Sequence, residues 1–235
     1  LCMSLNNNFN IRRLERYLSV TYDSGATPVV VLTKSDLCSN VESKITEAQS
    51  VAPGVGVLAI SSLNEDYEAV MKYILPGKTV AFIGSSGVGK STLINKLTGT
   101  DSIATREIGN DDKGRHTTTH RELITLQNGA FVIDTPGMRE LGMWDSGDGI
   151  DTAFADIEEL SRACKYADCT HTSEPGCAVL RALADGTLDA ARLASYRKLK
   201  TENNYAADNS RYLEAKRAKF KEIAKINKSG RKNRY

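Results

Sequence analysis

Gly84-Ser85-Ser86-Gly87-Val88-Gly89-Lys90-Ser91 has the spacing GxxxxGK[ST], and the chemistry of that spacing is phosphate binding. Its glycines let backbone N–H groups turn toward phosphate oxygens. Lys90 can reach the outer phosphates, and Ser91 offers a hydroxyl to Mg²⁺ at a helix N-terminus, where the dipole favours anions. Thr92, next in the helix, completes the expected contact set. An apolar run over 79–83 precedes the loop and a helical pattern over 92–97 follows it. A plain glycine-rich turn has no need of that strand-loop-helix context.

Thr33-Lys34-Ser35-Asp36 follows the apolar run Val29-Val30-Val31-Leu32 and so falls at a strand's carboxyl end, where open α/β sheets bind ligands. The Asp36 carboxylate can accept from N1–H and the 2-amino group of guanine, while the Lys34 stem lies across the base. Adenine presents an acceptor there instead, which disfavours an ATPase. Such hydrogen-bonded sites reject the wrong partner by about 10⁴- to 10⁵-fold. Ser61 and Ser62 end the next apolar run and can bring a backbone N–H to the guanine carbonyl. A solvated KxD turn is the bland alternative. Thr33 stands where NKxD motifs carry Asn, which leaves the bracing by that amide to be found elsewhere.

A hydrolytic half is expected downstream. The run Phe131-Val132-Ile133 leads into Asp134-Thr135-Pro136-Gly137, a DxxG in which Asp134 holds a Mg²⁺ water and the Gly137 N–H meets the γ-phosphate. Upstream, Gly114-Arg115-His116-Thr117-Thr118-Thr119 supplies a switch threonine; Thr118 is favoured as a Mg²⁺ ligand over its neighbours. Met138 follows the DxxG and has no group suited to orienting water. His116 is therefore the candidate for that role, a neutral imidazole in a polar loop, against the alternative of a solvated loop histidine.

Cys164, Cys169, His171 and Cys177 form CxxxxCxHxxxxxC. Zinc takes four tetrahedral thiolate and imidazole ligands in structural sites, and the Pro175-Gly176 turn would return Cys177 to the others. A site filled by protein leaves no position for catalytic water and supplies on the order of 10 kcal/mol to a segment with little apolar core. Unrelated buried cysteines are the alternative; disulfides are disfavoured without secretory features. Cys2 and Cys38 read as incidental.

These groups need a scaffold, and apolar runs at 29–32, 57–60 and 80–83 alternate with helical patterns around 41–51 and 65–74, predicting an α/β fold with a parallel sheet. Residues 122–126 and 130–133, joined by Gln127-Asn128-Gly129, read as a hairpin. The 235 residues divide into a nucleotide-binding domain over 1–150 and a small, mainly helical zinc segment with a basic tail over 151–235. From Arg211 onward ten Lys or Arg face only Glu214 and Glu222, so the tail carries +8 and the remainder −6 of the net +2. That tail is either a solvated amphipathic helix or an RNA-phosphate contact, the second being preferred. No long apolar run suggests a membrane span, and no signal peptide is visible. Leu1, opening directly on a strand, suggests a fragment lacking upstream sequence.

GTPase motifs normally run phosphate loop, switch threonine, DxxG, KxD; here KxD comes first. With GRHTTTH, DTPG before an apolar residue, CKYADCTHTSEPGCAV and the basic tail, the whole chain resembles the small-ribosomal-subunit-dependent GTPase family, RsgA, a circularly permuted P-loop GTPase. The resemblance implies GTP hydrolysis stimulated by the small ribosomal subunit in its late maturation, with GTP or GDP, Mg²⁺ and one structural Zn²⁺ on Cys164, Cys169, His171 and Cys177. It also implies contact with rRNA, assembly factors as candidate partners, a monomer, and a cytoplasmic bacterial setting. Members usually carry an OB-fold domain before the GTPase domain, and this sequence shows none. A permuted GTPase of the large subunit is the nearer alternative, disfavoured because the zinc segment follows the nucleotide motifs. A nucleotide-gated rRNA-binding switch is the other.

Overall fold

The computed structural model describes residues 1–6, 8–61, 67–99, 122–134 and 147–208. β1 (Cys2–Ser4), β2 (Val29–Thr33) and β3 (Gly56–Ala59) form one parallel sheet in the order β1-β2-β3. A second sheet has the order β4-β6-β5, with β4 (Thr79–Phe82) parallel to β6 (Phe131–Asp134) and β5 (Glu122–Thr125) antiparallel to it. The hairpin expected around Asn128 is thereby present, closed by Leu126 N–H to Ala130 O.

The two sheets meet edge to edge where Cys2 N–H donates to Ile83 O at 2.6 Å. The contact is so close that a Cβ on Gly84 would come within 2.4 Å of Cys2 O. β1 therefore sits at the middle of the combined array, with β2 on one side and β4 on the other. β2 and β3 run parallel, so their carboxyl ends at Thr33 and Ala59 lie side by side, the end of such sheets at which ligands bind.

Helix α1 (Ile11–Asp23) is capped by Asn10, whose side chain accepts from Arg13 N–H at 3.0 Å. Leu14, Leu18 and Thr21 recur at helical spacing and are buried. Glu15 and Ser19 are buried too, because a second layer covers that face: α5 (Gly147–Ala153), α6 (Ala155–Arg162), α7 (Ala178–Ala184) and a helix over 190–208. Gly149 lies directly against α1; a Cβ there would stand 2.1 Å from Ser19 O. One apolar cluster runs from Met3, Leu14 and Leu32 through Phe154 and Ile157 to Val179, Leu193 and Leu199. A second, around Val31, Phe82, Ile94 and Val132, fills the other face.

α2 (Val41–Val51) matches the pattern read over 41–51, while α3 (Glu68–Met71) is shorter than the pattern over 65–74; residues 62–66 lie outside those described. α4 (Lys90–Thr98) begins within the phosphate loop.

Candidate nucleotide pocket and metal centre

The loop from Gly84 to Ser91 leaves β4 and enters α4 through Gly89, whose φ of 95° is closed to most side chains. Lys90 is buried and donates to Gly84 O at 2.7 Å and Ser85 O at 2.9 Å. A buried ammonium at the start of α4, where the loop ends, is placed where an anion bound by the loop would meet it.

Thr33 supplies the brace that the missing Asn left open. Its Oγ1 donates to Val88 O at 2.5 Å, fastening the end of β2 to the phosphate loop. The chain then turns at Lys34, in the left-handed region at φ 58°, into a 3₁₀ turn over Ser35–Leu37. This turn carries Asp36 to Ser61, whose Oγ donates to Asp36 Oδ1 at 2.6 Å, and Ser35 N–H donates to Ile60 O at 3.1 Å. An Asp36 oxygen held by a hydroxyl is fixed in direction, which a base-reading carboxylate requires.

Between these segments lies a pocket of about 480 Å³, its open mouth included. Thr33, Lys34 and Ser61 line it from the side of β2 and β3, Gly89 and Thr92 from the side of the Gly84 to Ser91 loop. Tyr67 and Lys96 close it laterally, the Lys96 Nζ standing 6.0 Å from the Tyr67 ring centroid. Neither was signalled by the sequence, because their approach depends on how α3 and α4 cross.

The Cys₃His set converges: the ligand atoms of Cys164, Cys169, His171 and Cys177 lie within 4.8 Å of one another. Zinc at about 2.3 Å from sulfur and 2.0–2.1 Å from nitrogen requires sulfurs about 3.8 Å apart and sulfur about 3.5–3.6 Å from nitrogen. Cys164 and Cys177 Sγ are 3.8 Å apart, and His171 Nδ1 stands 3.6 and 3.4 Å from them. The donor set thus fits zinc.

Electrostatics agree with that fit. Burial holds the His171 imidazole below its ordinary pKa, in the neutral ligand form. Burial raises the Cys164 thiol, but hydrogen bonds from the Ala178 and Val179 amides, together with those to Cys177 and Cys169, leave the group below its usual value. Desolvation together with the other two thiols pushes Cys169 up to about 11. Three thiols cannot ionise together here without a cation among them. Ser161 Oγ lies 2.8 Å from His171 Nε2, leaving Nδ1 to face the sulfurs. Ser161, in the last turn of α6 three residues before Cys164, was the available signal for that partner. His171 itself has φ 59°, held by an Arg197 hydrogen bond to its carbonyl.

His116, Thr118, Ser62, Gly137 and the basic tail beyond 208 lie outside the described residues, as does the Asp134 side chain. Ser91 is the second residue of α4, and Ser86 sits in the loop before it.

The profile of the RsgA GTPase family matches residues 1–144. Small ribosomal subunit biogenesis GTPase RsgA 2 of Lactiplantibacillus plantarum is 54% identical over 216 residues, covering 91% of this chain and 61% of that protein. This chain spans about three fifths of the length of the curated relatives it matches. Among solved structures, YloQ, a circularly permuted GTPase, aligns with TM-score 0.60 at 27% identity, covering 89% of this chain and 69% of that one. YjeQ from Thermotoga maritima aligns with TM-score 0.61 over 84% and 68%, and at 23% identity speaks for the fold alone. The fold is a circularly permuted P-loop GTPase followed by helices that carry a Cys/His cluster. Motif order, strand order and profile coincide on one assignment: the chain belongs to the RsgA GTPase family.

Proposed function

We propose that this chain is a Mg²⁺-dependent GTP hydrolase acting in late maturation of the small ribosomal subunit and stimulated by that particle. One observation carries the reading: Thr33, Lys34 and Ser61 share a single pocket with Gly89 and Thr92, so base-reading and phosphate-binding segments face one ligand. The printed names of the curated relatives support the partner.

In this reading Asp36 and Lys34 hold guanine, the Gly84 to Ser91 loop with Lys90 holds the phosphates, and Ser91 and Thr118 hold Mg²⁺, which neutralises charge developing on the outer phosphate oxygens. Asp134 and Gly137 belong to the same end of the site, and His116 orients the attacking water. Cys164, Cys169, His171 and Cys177 hold one structural zinc. The chain divides near residue 150 between nucleotide domain and zinc segment. It works as a cytoplasmic monomer contacting rRNA, with assembly factors as further partners. Among the described residues no helix is long and apolar enough to cross a membrane.

GTP turnover by this chain, and by a form extended to the length of its relatives, tests the proposal when measured alone and with purified small or large subunits at fixed low salt. Selective stimulation by small subunits is expected. Equal, absent or large-subunit-only stimulation rejects the partner. A nucleotide-gated rRNA-binding switch is the second reading, favoured by α1 touching both Ser85 and the C-terminal helix; unstimulated turnover with nucleotide-dependent rRNA affinity would select it.

A further inference from the structure

Helix α1 has three distinct faces. Leu14, Leu18 and Thr21 point into the sheet side. Arg12, Glu15, Arg16 and Ser19, at helical i, i+3, i+4, i+7 spacing, meet the C-terminal layer. Arg12 donates to Asp189 at 2.6 Å, Arg192 to Glu15 at 2.9 Å, and Arg16 to both oxygens of Glu202 at 2.6 and 2.9 Å. Ser19 O lies under Gly149.

The third face is Arg13 with Tyr17, one turn apart. Arg13 Nη1 donates to Ser85 Oγ at 2.9 Å and to Asn8 Oδ1 at 2.9 Å, and the Tyr17 hydroxyl lies 3.3 Å from the same Ser85 Oγ. Ser85 is buried, and its carbonyl takes Lys90 from the other side.

Ser85 is thus gripped by its side chain from α1 and by its main chain from Lys90. Only one of those grips is compatible with work on a nucleotide. A P-loop lysine serves the outer phosphates, so a bound triphosphate draws Lys90 away from Gly84 O and Ser85 O. The grip from α1 is then what fixes Ser85 and the amides that follow it.

We propose that Arg13 is a positioning residue for GTP hydrolysis, acting through Ser85 to hold the outer-phosphate end of the loop on a helix that is itself fastened to the C-terminal layer. A docking event that shifts the helix over 190–208 therefore reaches the phosphate loop through one rigid element. The proposal rests on the reading of Gly84 to Ser91 as the phosphate site, and its test separates the two. Misplacing reacting groups by about 1 Å costs about 10²-fold in rate, so loosening one anchor of the loop is expected to cost about tenfold.

The experiment compares Arg13→Ala, Arg13→Lys, Ser85→Ala, the Arg13→Ala/Ser85→Ala double variant and Lys90→Ala in single-turnover GTP hydrolysis and in fluorescent GDP binding. Asn10 caps α1 through the main-chain N–H of Arg13, so alanine leaves the helix start intact; the thermal midpoint of each variant verifies this. Arg13→Ala and Ser85→Ala are each expected to slow hydrolysis about tenfold with GDP affinity changed less than about threefold. The double variant is expected to be no slower than either single one, because both remove the same contact. Arg13→Lys, which keeps a donor and the charge, recovers most of the rate. Full multiplicative loss in the double variant, or wild-type turnover in Arg13→Ala, overturns the proposal. Undiminished nucleotide binding in Lys90→Ala instead overturns the phosphate-loop reading beneath it.

Discussion

Thr33 Oγ1 and the carbonyl of Val88 are 2.5 Å apart, so the residue that opens the Thr33 to Asp36 turn is tied to the loop from Gly84 to Ser91. Both residues are buried, and Thr33→Val would leave that carbonyl without its hydroxyl partner. Unsatisfied buried acceptors cost about 1–3 kcal/mol. Calorimetry on Thr33→Val should show GDP affinity about tenfold weaker with guanine preference kept; unchanged affinity would mean the brace is idle. Thr33→Asn, restoring the usual amide, should bind at least as well as the wild type.

Asp36 is held by the Ser61 hydroxyl at 2.6 Å. Asp36→Asn puts a donor where guanine presents donors, and the preference for GTP over ATP should collapse by at least about 10²-fold, given the about 10⁴- to 10⁵-fold that such sites achieve. Competition between the two triphosphates measures it. Retained preference would assign base reading to other groups.

How much of this was visible in the one-dimensional chain depends on the range of the interaction. The phosphate loop, KxD and Cys₃His sets are local patterns in which identity and spacing are nearly the whole constraint, so they could be named from residues alone. The parallel strands and the Asn128 hairpin followed from apolar runs and turn chemistry. Helix α1 went unread: Glu15 and Ser19 interrupt its apolar stripe, and they do so because a second layer, 177 residues away for Glu15 and Arg192, covers them. The Arg13 and Tyr17 contacts with Ser85 likewise span 72 and 68 residues of chain, beyond the reach of any local pattern. Cys2, read as incidental, is the central seam of the sheet.

Arg192 and Arg12 together make Glu15 tolerable, both donating to its Oε1, at 2.9 and 2.6 Å. Arg192 also donates to Asp156 through two nitrogens and to Ala153 O, with its guanidinium 4.6 Å from the Phe154 ring centroid. Glu15 is fully buried, and its Oε2 has no hydrogen-bond partner among the described residues. Removing the sole partner of a buried charge costs about 3–5 kcal/mol, and with Arg12 still donating to Glu15, Arg192→Ala should lower unfolding free energy in urea by less than that. Adding Glu15→Leu should recover part of the loss; failure to recover would place the defect in packing rather than in the weakened pairing of the carboxylate.

Ser161 orients His171 toward the thiols. Loss of such a partner typically weakens metal affinity about 10- to 100-fold, and Ser161→Ala should show this in zinc competition against a chromophoric chelator. Cys169→Ser should lose the metal more completely and lower the thermal midpoint. If chelation leaves the midpoint where it was, the cluster does not hold the C-terminal helices together.

Glu202 gives the fold an acid limit. Arg16 donates to both of its oxygens and holds the carboxyl below its usual pKa. The folded chain then binds fewer protons than the unfolded one, so this stabilisation is complete above the unfolded carboxyl value, about 4.3, and is lost as pH falls through the folded one. Urea titrations at about pH 6 and about pH 3.5 should show a larger loss for wild type than for Glu202→Gln. Equal losses would locate the acid sensitivity elsewhere.

The seam at Cys2 also orders events during synthesis. β1 can pair with β2 as soon as residues 29–33 leave the ribosome, but the strand that covers its other edge ends at Ile83. At about 5–20 residues per second, roughly 50 further residues occupy several seconds in which a nascent half-sheet presents an open parallel edge. The newly made sheet is thus exposed to mispairing until residue 83 has been made.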